Sequence, residues 1–311
     1  MTTAPLYQDV ADGPDDGGAF WLHAADGVRL RVGLWRYEGA RGTVFLLPGR
    51  TEYVEKYGRA AQDLRSRGFA MLTVDWRGQG LADRALDDQM SGHVVDFAEY
   101  QLDMDAMLVF ARAQRLPEPY YMIAHSMGGC IGLRSLTRGL PFKAAAFTAP
   151  MWGILIAAWM RPLAVMLSTA SRWLNFDGRY APGTGSKTYV LEAGFVGNTL
   201  TTDAEMWDYM RQQALVHPDL ALGGPSLGWL KAALTECHAL TQQPSPEVPV
   251  LVALGTQERI VDVGPIHARM AMWPRGTLEI YQGCEHEILM ERAAARDKFF
   301  DGAAQLFSKN R

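Results

Sequence analysis

The stretch Tyr120-Tyr-Met-Ile-Ala-His-Ser126-Met-Gly-Gly-Cys-Ile-Gly-Leu133 decides the reading of this chain. A β-like apolar run ends at Ala124, Ser126 follows two residues later, and glycines then open a helix. Turning a strand into a helix within about three residues strains the middle residue and crowds the positions two before and two after it. Small residues at Ala124 and Gly128 relieve that crowding. The bend lifts the Ser126 hydroxyl above the carboxyl edge of a sheet, with a helix N-terminus beneath it. There the helix dipole and free N–H groups favour developing negative charge. Ser126 is the candidate nucleophile.

Outward from this bend, short β-rich runs alternate with helical patterns. Phe20 to His23 and Val28 to Tyr37 read as an antiparallel pair around the Asp26-Gly27 turn. Further strands are expected at Thr43 to Leu47, Ala70 to Trp76, Tyr120 to Ala124, Ala144 to Thr148, Val250 to Gly255 and Thr277 to Tyr281. Most are continuous apolar runs without alternation, as in strands buried on both faces of a parallel sheet. Helices are expected over Glu55 to Arg67, Phe97 to Gln114, Gly128 to Arg138 and Pro265 to Met272. The pattern predicts an α/β fold with a doubly wound, mostly parallel eight-stranded sheet.

The rhythm breaks between Pro150 and Gln243, a region that holds five of the nine tryptophans and little that reads as strand. Strand pattern resumes at Val250 after Pro244-Ser-Pro-Glu-Val-Pro249. This predicts a core domain of residues 1–149 and 244–311 with a mainly helical cap inserted at residues 150–243. Within the cap, Met151 to Ala170 is apolar enough to be weighed as a membrane span. Arg161 and Pro162 in its middle argue instead for two short amphipathic helices joined there.

The remaining site residues follow from the order of the strands. The last strand leads directly into Gln282-Gly-Cys-Glu-His286, and of the seven histidines only His286 sits there, making it the candidate base. An acid is expected after Val250 to Gly255, where Glu258 stands three past Gly255 and Asp262 is its rival. An oxyanion hole needs two converging N–H groups. Met127, after the nucleophile, supplies one candidate, and Arg50, in the Pro48-Gly49-Arg50 turn after Thr43 to Leu47, the other.

Other chemistries fit less well. Asp75-Trp-Arg-Gly78-Gln-Gly80 approaches a dinucleotide fingerprint, but Asp83 replaces its third glycine. Gly183-Thr-Gly-Ser-Lys187-Thr188 lacks the glycine before lysine that a phosphate loop requires, and no strand precedes it. No cofactor is expected. His286-Glu-Ile-Leu-Met290 lacks the second histidine of a zinc-binding H-E-x-x-H, so no metal is expected either. Cys284 lies near His286 but lacks a helix N-terminus to activate it.

The bulk numbers agree with an ordinary globular protein. The chain has 311 residues, 48% of them hydrophobic and 21% charged, and a net charge of −4. That balance gives no electrostatic reason to expect nucleic acid as a partner. Three widely spaced cysteines suggest reduced thiols, and Met1 to Gly18 holds no apolar signal-type run. A cytoplasmic location is the resulting expectation, with no stable membrane insertion and peripheral contact through the cap left open.

Taken together, the residues resemble the bacterial lysophospholipase and monoacylglycerol lipase branch of the α/β-hydrolases, the serine aminopeptidase-type hydrolases. The resemblance rests on Pro48-Gly-Arg-Thr-Glu-Tyr-Val-Glu-Lys-Tyr57, Asp75 to Gly80, His93 to Asp103, His125-Ser-Met-Gly-Gly129, Ala149-Pro-Met151, Glu258 to Asp262 and His286-Glu-Ile-Leu289. It implies the α/β-hydrolase fold and cofactor-free hydrolysis of a small-molecule ester, with lipids among the candidates. It also implies that Ser126, a Glu or Asp, and His286 act as a triad, with the cap shaping the pocket. Two departures stand out: Pro48-Gly49 replaces the family's His-Gly, and Glu258 stands where Asp is common. Lysophospholipids and monoacylglycerols are the expected substrates. Another ester, a thioester or an aminoacyl amide is the alternative, and so is a non-catalytic ligand-binding shell.

Overall fold

Every residue of Thr43–Leu47 is buried, and its alternate side chains enter two different cores. Phe45 and Leu47 face one side, and Val44 and Leu46 the other, as the two-residue period of a strand requires. The strand lies inside a sheet covered on both faces, described here from a computed structural model over residues 2–157 and 161–311.

The sheet contains β1 (Thr3–Ala4), β2 (Gly18–His23), β3 (Arg29–Trp35), β4 (Thr43–Leu47), β5 (Ala70–Asp75), β6 (Tyr120–His125), β7 (Phe142–Thr148), β8 (Val250–Gly255) and β9 (Gly276–Tyr281). Their order is β1-β2-β3-β5-β4-β6-β7-β8-β9. From β5 to β9 every pairing is parallel, whereas β1, β2 and β3 pair antiparallel and join antiparallel to β5. Nine strands stand where eight were expected; the additional one is the two-residue β1, too short to leave a pattern. The chain leaves β4 toward β5 on one side and comes back to β6 on the other. The carboxyl ends of β4 and β6 therefore flank a topological switch point, where open α/β sheets form their crevice.

One face is filled by the helices Glu99–Ala113 and Met127–Thr137 together with Trp76, Phe97 and Phe142. The other is filled by Gly58–Ser66 and the C-terminal helix Ala293–Lys309 through Leu64, Phe299, Phe300 and Phe307. Between β7 and β8 lie the helices Arg161–Trp173, Tyr189–Glu192, Ala204–Val216 and Leu227–Thr241. Trp229, Ala232 and Ala233 of this insertion join the first core, and Met206, Trp207 and Met210 the second.

The pair of helices expected to meet at Arg161-Pro162 is not formed. Residues 151–157 are non-helical and a single helix begins at Arg161, while residues 158–160 lie outside the described residues. Among the described residues no helix is long and apolar enough to cross a membrane.

The Gly78-Gln-Gly80 turn after β5 serves the packing around Asp75. It wraps the Asp75 carboxylate so closely that a Cβ at Gly80 would lie 2.3 Å from Oδ2. Asp75 accepts from the N–H groups of Val54 and Leu81, each at 2.8 Å. It also pairs with Arg31, which is fully buried and reaches Asp75 at 2.7 Å and Glu55 at 2.6 Å. Burial lowers the proton affinity of Arg31, but Asp75 and Glu55 more than restore it, so the guanidinium stays charged. Replacing it strands two buried carboxylates beside each other. Arg31→Met is expected to lower unfolding stability by about 3–5 kcal/mol, read from the urea midpoint at unchanged slope.

Candidate active site

Ser126 stands between β6 and the helix Met127–Thr137 with φ 49° and ψ −115°, a left-handed conformation that only an imposed bend produces. Its N–H donates to the Thr148 carbonyl at 3.1 Å and its carbonyl accepts from Met151 at 2.8 Å. Gly128 is the residue that permits the bend. A Cβ there would sit 2.2 Å from the Leu47 carbonyl oxygen and 2.6 Å from that of Pro48. The start of the helix is thus pressed against the turn following β4, which carries Arg50. Pro48 is held in turn by a 2.9 Å bond from the Trp76 indole N–H.

His286 sits in the loop after β9, where its N–H and that of Glu287 donate to the Thr199 and Leu200 carbonyls of the insertion. Its Nδ1 lies 2.7 Å from Glu258 Oε2. Burial alone would raise the Glu258 carboxyl. The hydrogen bond from His286 and two more from the Val261 and Ile260 N–H groups outweigh it and hold the group below the usual glutamate value. A carboxylate can only accept, so the shared proton belongs on Nδ1 and Nε2 keeps its basic lone pair. Asp262, the rival acid, caps the helix Val263–Met270 by accepting from Gly264 N–H at 3.0 Å. Arg259 pairs with Glu285 at 2.6 Å rather than with either candidate.

Ser126 and His286 line the same cavity of about 440 Å³, together with Arg50 and residues of the insertion. The Cys284 thiol is pushed up to about 11 by burial, which suppresses the thiolate that a nucleophile needs.

A buried ionic cluster under this cavity was missed in the sequence. Lys56 Nζ bridges Glu52 at 2.8 Å and Glu287 at 2.5 Å. Glu52 also accepts from the Tyr57 hydroxyl and from the Gly49 N–H. Burial would raise the Glu52 carboxyl, but Lys56 and His125 overcome it and bring the group to about 2. On the opposite side Gln79 holds the same turn, donating to the Gly49 carbonyl at 3.0 Å and accepting from Thr51 N–H at 3.2 Å. The turn that carries Arg50 is clamped from both directions. Its one local signal was the i,i+4 spacing of Glu52 and Lys56.

His125 lies 4.8 Å, ring to ring, from His286 and 2.9 Å from the Thr148 hydroxyl. Burial drives it down to about 3 despite the attraction of Glu52, so it stays neutral. Glu52, His125 and Glu287 bring donor atoms within 4.8 Å of one another, close enough to hold a metal. The Lys56 ammonium already occupies the space between the two carboxylates.

Comparison with known proteins places the chain in a family. Residues 38–293 match the family described as "Serine aminopeptidase, S33". The chain is 30% identical over 298 residues to Lysophospholipase L2 of Escherichia coli strain K12, covering 92% of this chain and 86% of that protein. Among solved structures it superposes with a TM-score of 0.72 on a soluble variant of monoglyceride lipase from Saccharomyces cerevisiae. That match has 18% identity and covers 93% and 94% of the two chains. A highly thermostable carboxyl esterase from Bacillus coagulans gives a TM-score of 0.76 at 15% identity, covering 94% and 98%. The chain belongs to the serine aminopeptidase S33 family and has the α/β-hydrolase fold.

Proposed function

We propose that Ser126 is the nucleophile, His286 its general base and Glu258 the acid that orients His286. The observation that carries this reading is the 2.7 Å bond from Glu258 to His286 Nδ1, at a cavity that also holds the strained Ser126. His286 Nε2 takes the hydroxyl proton as Ser126 Oγ attacks the ester carbonyl. The N–H groups of Met127 and Arg50 hold the oxyanion, supported by the Gly128 contact that presses their two segments together. The imidazolium then protonates the leaving alkoxide, and water hydrolyses the acyl-serine by the same path.

The protein is a carboxylic ester hydrolase acting on lipid-like esters, in keeping with its family and its lysophospholipase relative. Apolar side chains along the cavity, among them Met151, Ile154, Leu200, Met210 and Trp229, suit an acyl chain. Residues 150–243 act as a cap in this reading, because Tyr189, Met210 and Trp229 supply part of the cavity wall. The substrate is a small-molecule monoester, and the net charge of −4 offers nothing to nucleic acid. Three free, buried cysteines fit the reducing cytoplasm.

Ser126→Ala is expected to lower turnover of short p-nitrophenyl esters by about 10⁴-fold or more. A fluorophosphonate probe is expected to label the wild type and spare this variant. An unlabelled, folded wild type would mean a ligand-binding protein on a hydrolase shell.

Glu258→Gln is expected to lower kcat by about 10²–10⁴-fold. It also carries a stability signature. The folded carboxyl lies below its usual 4.5, so its contribution is complete above that value and fades as the pH falls further. The stability gap between wild type and variant is therefore expected to be constant near neutrality and to narrow below 4.5. A gap that persists undiminished in acid would contradict the ionic pairing.

Peripheral contact with a lipid surface is a second reading. Among the described residues, most of the exposed large apolar side chains belong to the insertion, including Trp173 (86% exposed), Leu174 and Val196. Co-sedimentation with zwitterionic vesicles is expected, weakened by Trp173→Ser; recovery only in the supernatant would dismiss it.

A further inference from the structure

Arg50 is half-buried, and its guanidinium is partnered differently from those of the other well-covered arginines. Arg31 and Arg77 are each neutralised by carboxylates: Glu55 and Asp75 for the first, Asp26, Glu99 and Asp103 for the second. Arg84 and Arg269 have no carboxylate within ion-pair distance, but each spreads its guanidinium over two main-chain carbonyls, as at Gly78 and Gly80 for Arg84. Arg50 has one such bond, from Nη2 to the Gly223 carbonyl at 2.7 Å, and its buried Nε has no partner. The guanidinium lies against Gly92 and above the Trp229 ring, with its carbon 5.4 Å from the ring centroid. The titratable groups that act on it are the Tyr100 and Tyr180 phenols, both kept protonated, and burial lowers it to about 10. A largely desolvated cation without a counter-charge is costly wherever it serves only the fold.

Arg50 lines the cavity that holds Ser126 and His286, and so does the Trp229 ring on which its guanidinium rests. The nearest acids of that cavity, Glu52 and Glu287, are already bridged by Lys56 and cannot serve it. An incoming anion would complete the site, with the fork of the guanidinium matching two oxygens of a phosphate. The spacing selects which anion. In a 1-acylglycerol phosphodiester about six bonds separate the ester carbonyl carbon from phosphorus. About five separate the Arg50 Cα from its guanidinium carbon, giving similar reach at ordinary bond lengths. One residue can thus offer its main-chain N–H to the ester oxygen and its side chain to the phosphate.

We propose that the Arg50 guanidinium is an anion subsite that takes the phosphodiester of the substrate's alcohol half, making lysophospholipids preferred over monoacylglycerols. The proposal rests on the ester-hydrolase reading above and adds to it the residue that sets specificity.

The test compares 1-acylglycerophosphoglycerol with 1-monoacylglycerol, using the same short acyl chain and working below micelle formation. Wild type is expected to favour the phosphodiester in kcat/KM. Arg50→Gln is expected to reduce that preference by about 10–100-fold, mainly through KM, and Arg50→Lys to restore part of it. Equal losses on both substrates in Arg50→Gln would overturn the subsite while leaving the hydrolase intact. Activity on neither substrate in the wild type would overturn the hydrolase reading itself.

A measurement on the wild type alone guards against a misfolded variant. Glycerophosphoglycerol is expected to inhibit p-nitrophenyl ester hydrolysis competitively, well below the concentration at which glycerol or inorganic phosphate does so. Inhibition by inorganic phosphate as strong as by glycerophosphoglycerol would mean a general anion site and refute the assignment to the substrate.

Discussion

The site depends on the backbone of Ser126 being kept in a conformation it would not choose. A non-glycine residue at φ 49° and ψ −115° costs about 1–3 kcal/mol, and the surroundings must supply that. They do so through contacts with no slack. Gly128 abuts two carbonyls of the β4 end, and a Cβ at Gly129 would lie 2.5 Å from that of Pro150. The Ser126 main chain is tied to Thr148 and Met151. Three strand ends, those of β4, β6 and β7, are thereby locked to one another. The loops that leave them inherit fixed positions.

That lock explains why a turn with Pro48 in place of the family's histidine can still be well defined. Its conformation is set by neighbours rather than by its own first residue. Glu52 and Lys56 hold it from below, Gln79 from the side, and Trp76 through the Pro48 carbonyl. Gln79 and Trp76 belong to the segment after β5 that looked like half of a nucleotide motif. Its glycines serve to close the chain around Asp75, and its glutamine reaches the loop next door.

What the sequence revealed was local. The central strands, the bend at Ser126 and the place of His286 after the last strand all follow from short-range pattern, because buried parallel strands and a strand-to-helix turn constrain residue type within a few positions. The sequence favoured Glu258 over Asp262 only through its place three past Gly255. Both carboxylates occupy one loop, and only the start of the helix at Val263 shows that Asp262 is occupied as its cap. The longer Glu258 side chain reaches His286 while its other oxygen ties down the loop's own N–H groups. The ionic cluster was invisible for another reason: Lys56 and Glu287 are 231 residues apart and meet only when β4 and β9 share a sheet. Inside the insertion, hydropathy suggested a helical joint at Arg161-Pro162, whereas residues 151–157 form no helix to join there.

The way the insertion is rooted bears on how a molecule enters. Its helices Ala204–Val216 and Leu227–Thr241 contribute side chains to the cores on opposite faces of the sheet, so lifting the whole insertion would strip both cores at once. The short helix Tyr189–Glu192 has no buried residue, yet Tyr189 and Val190 border the cavity. A shift confined to that flank would disturb far less packing than lifting the insertion, since of that helix only Val190 leans on a core.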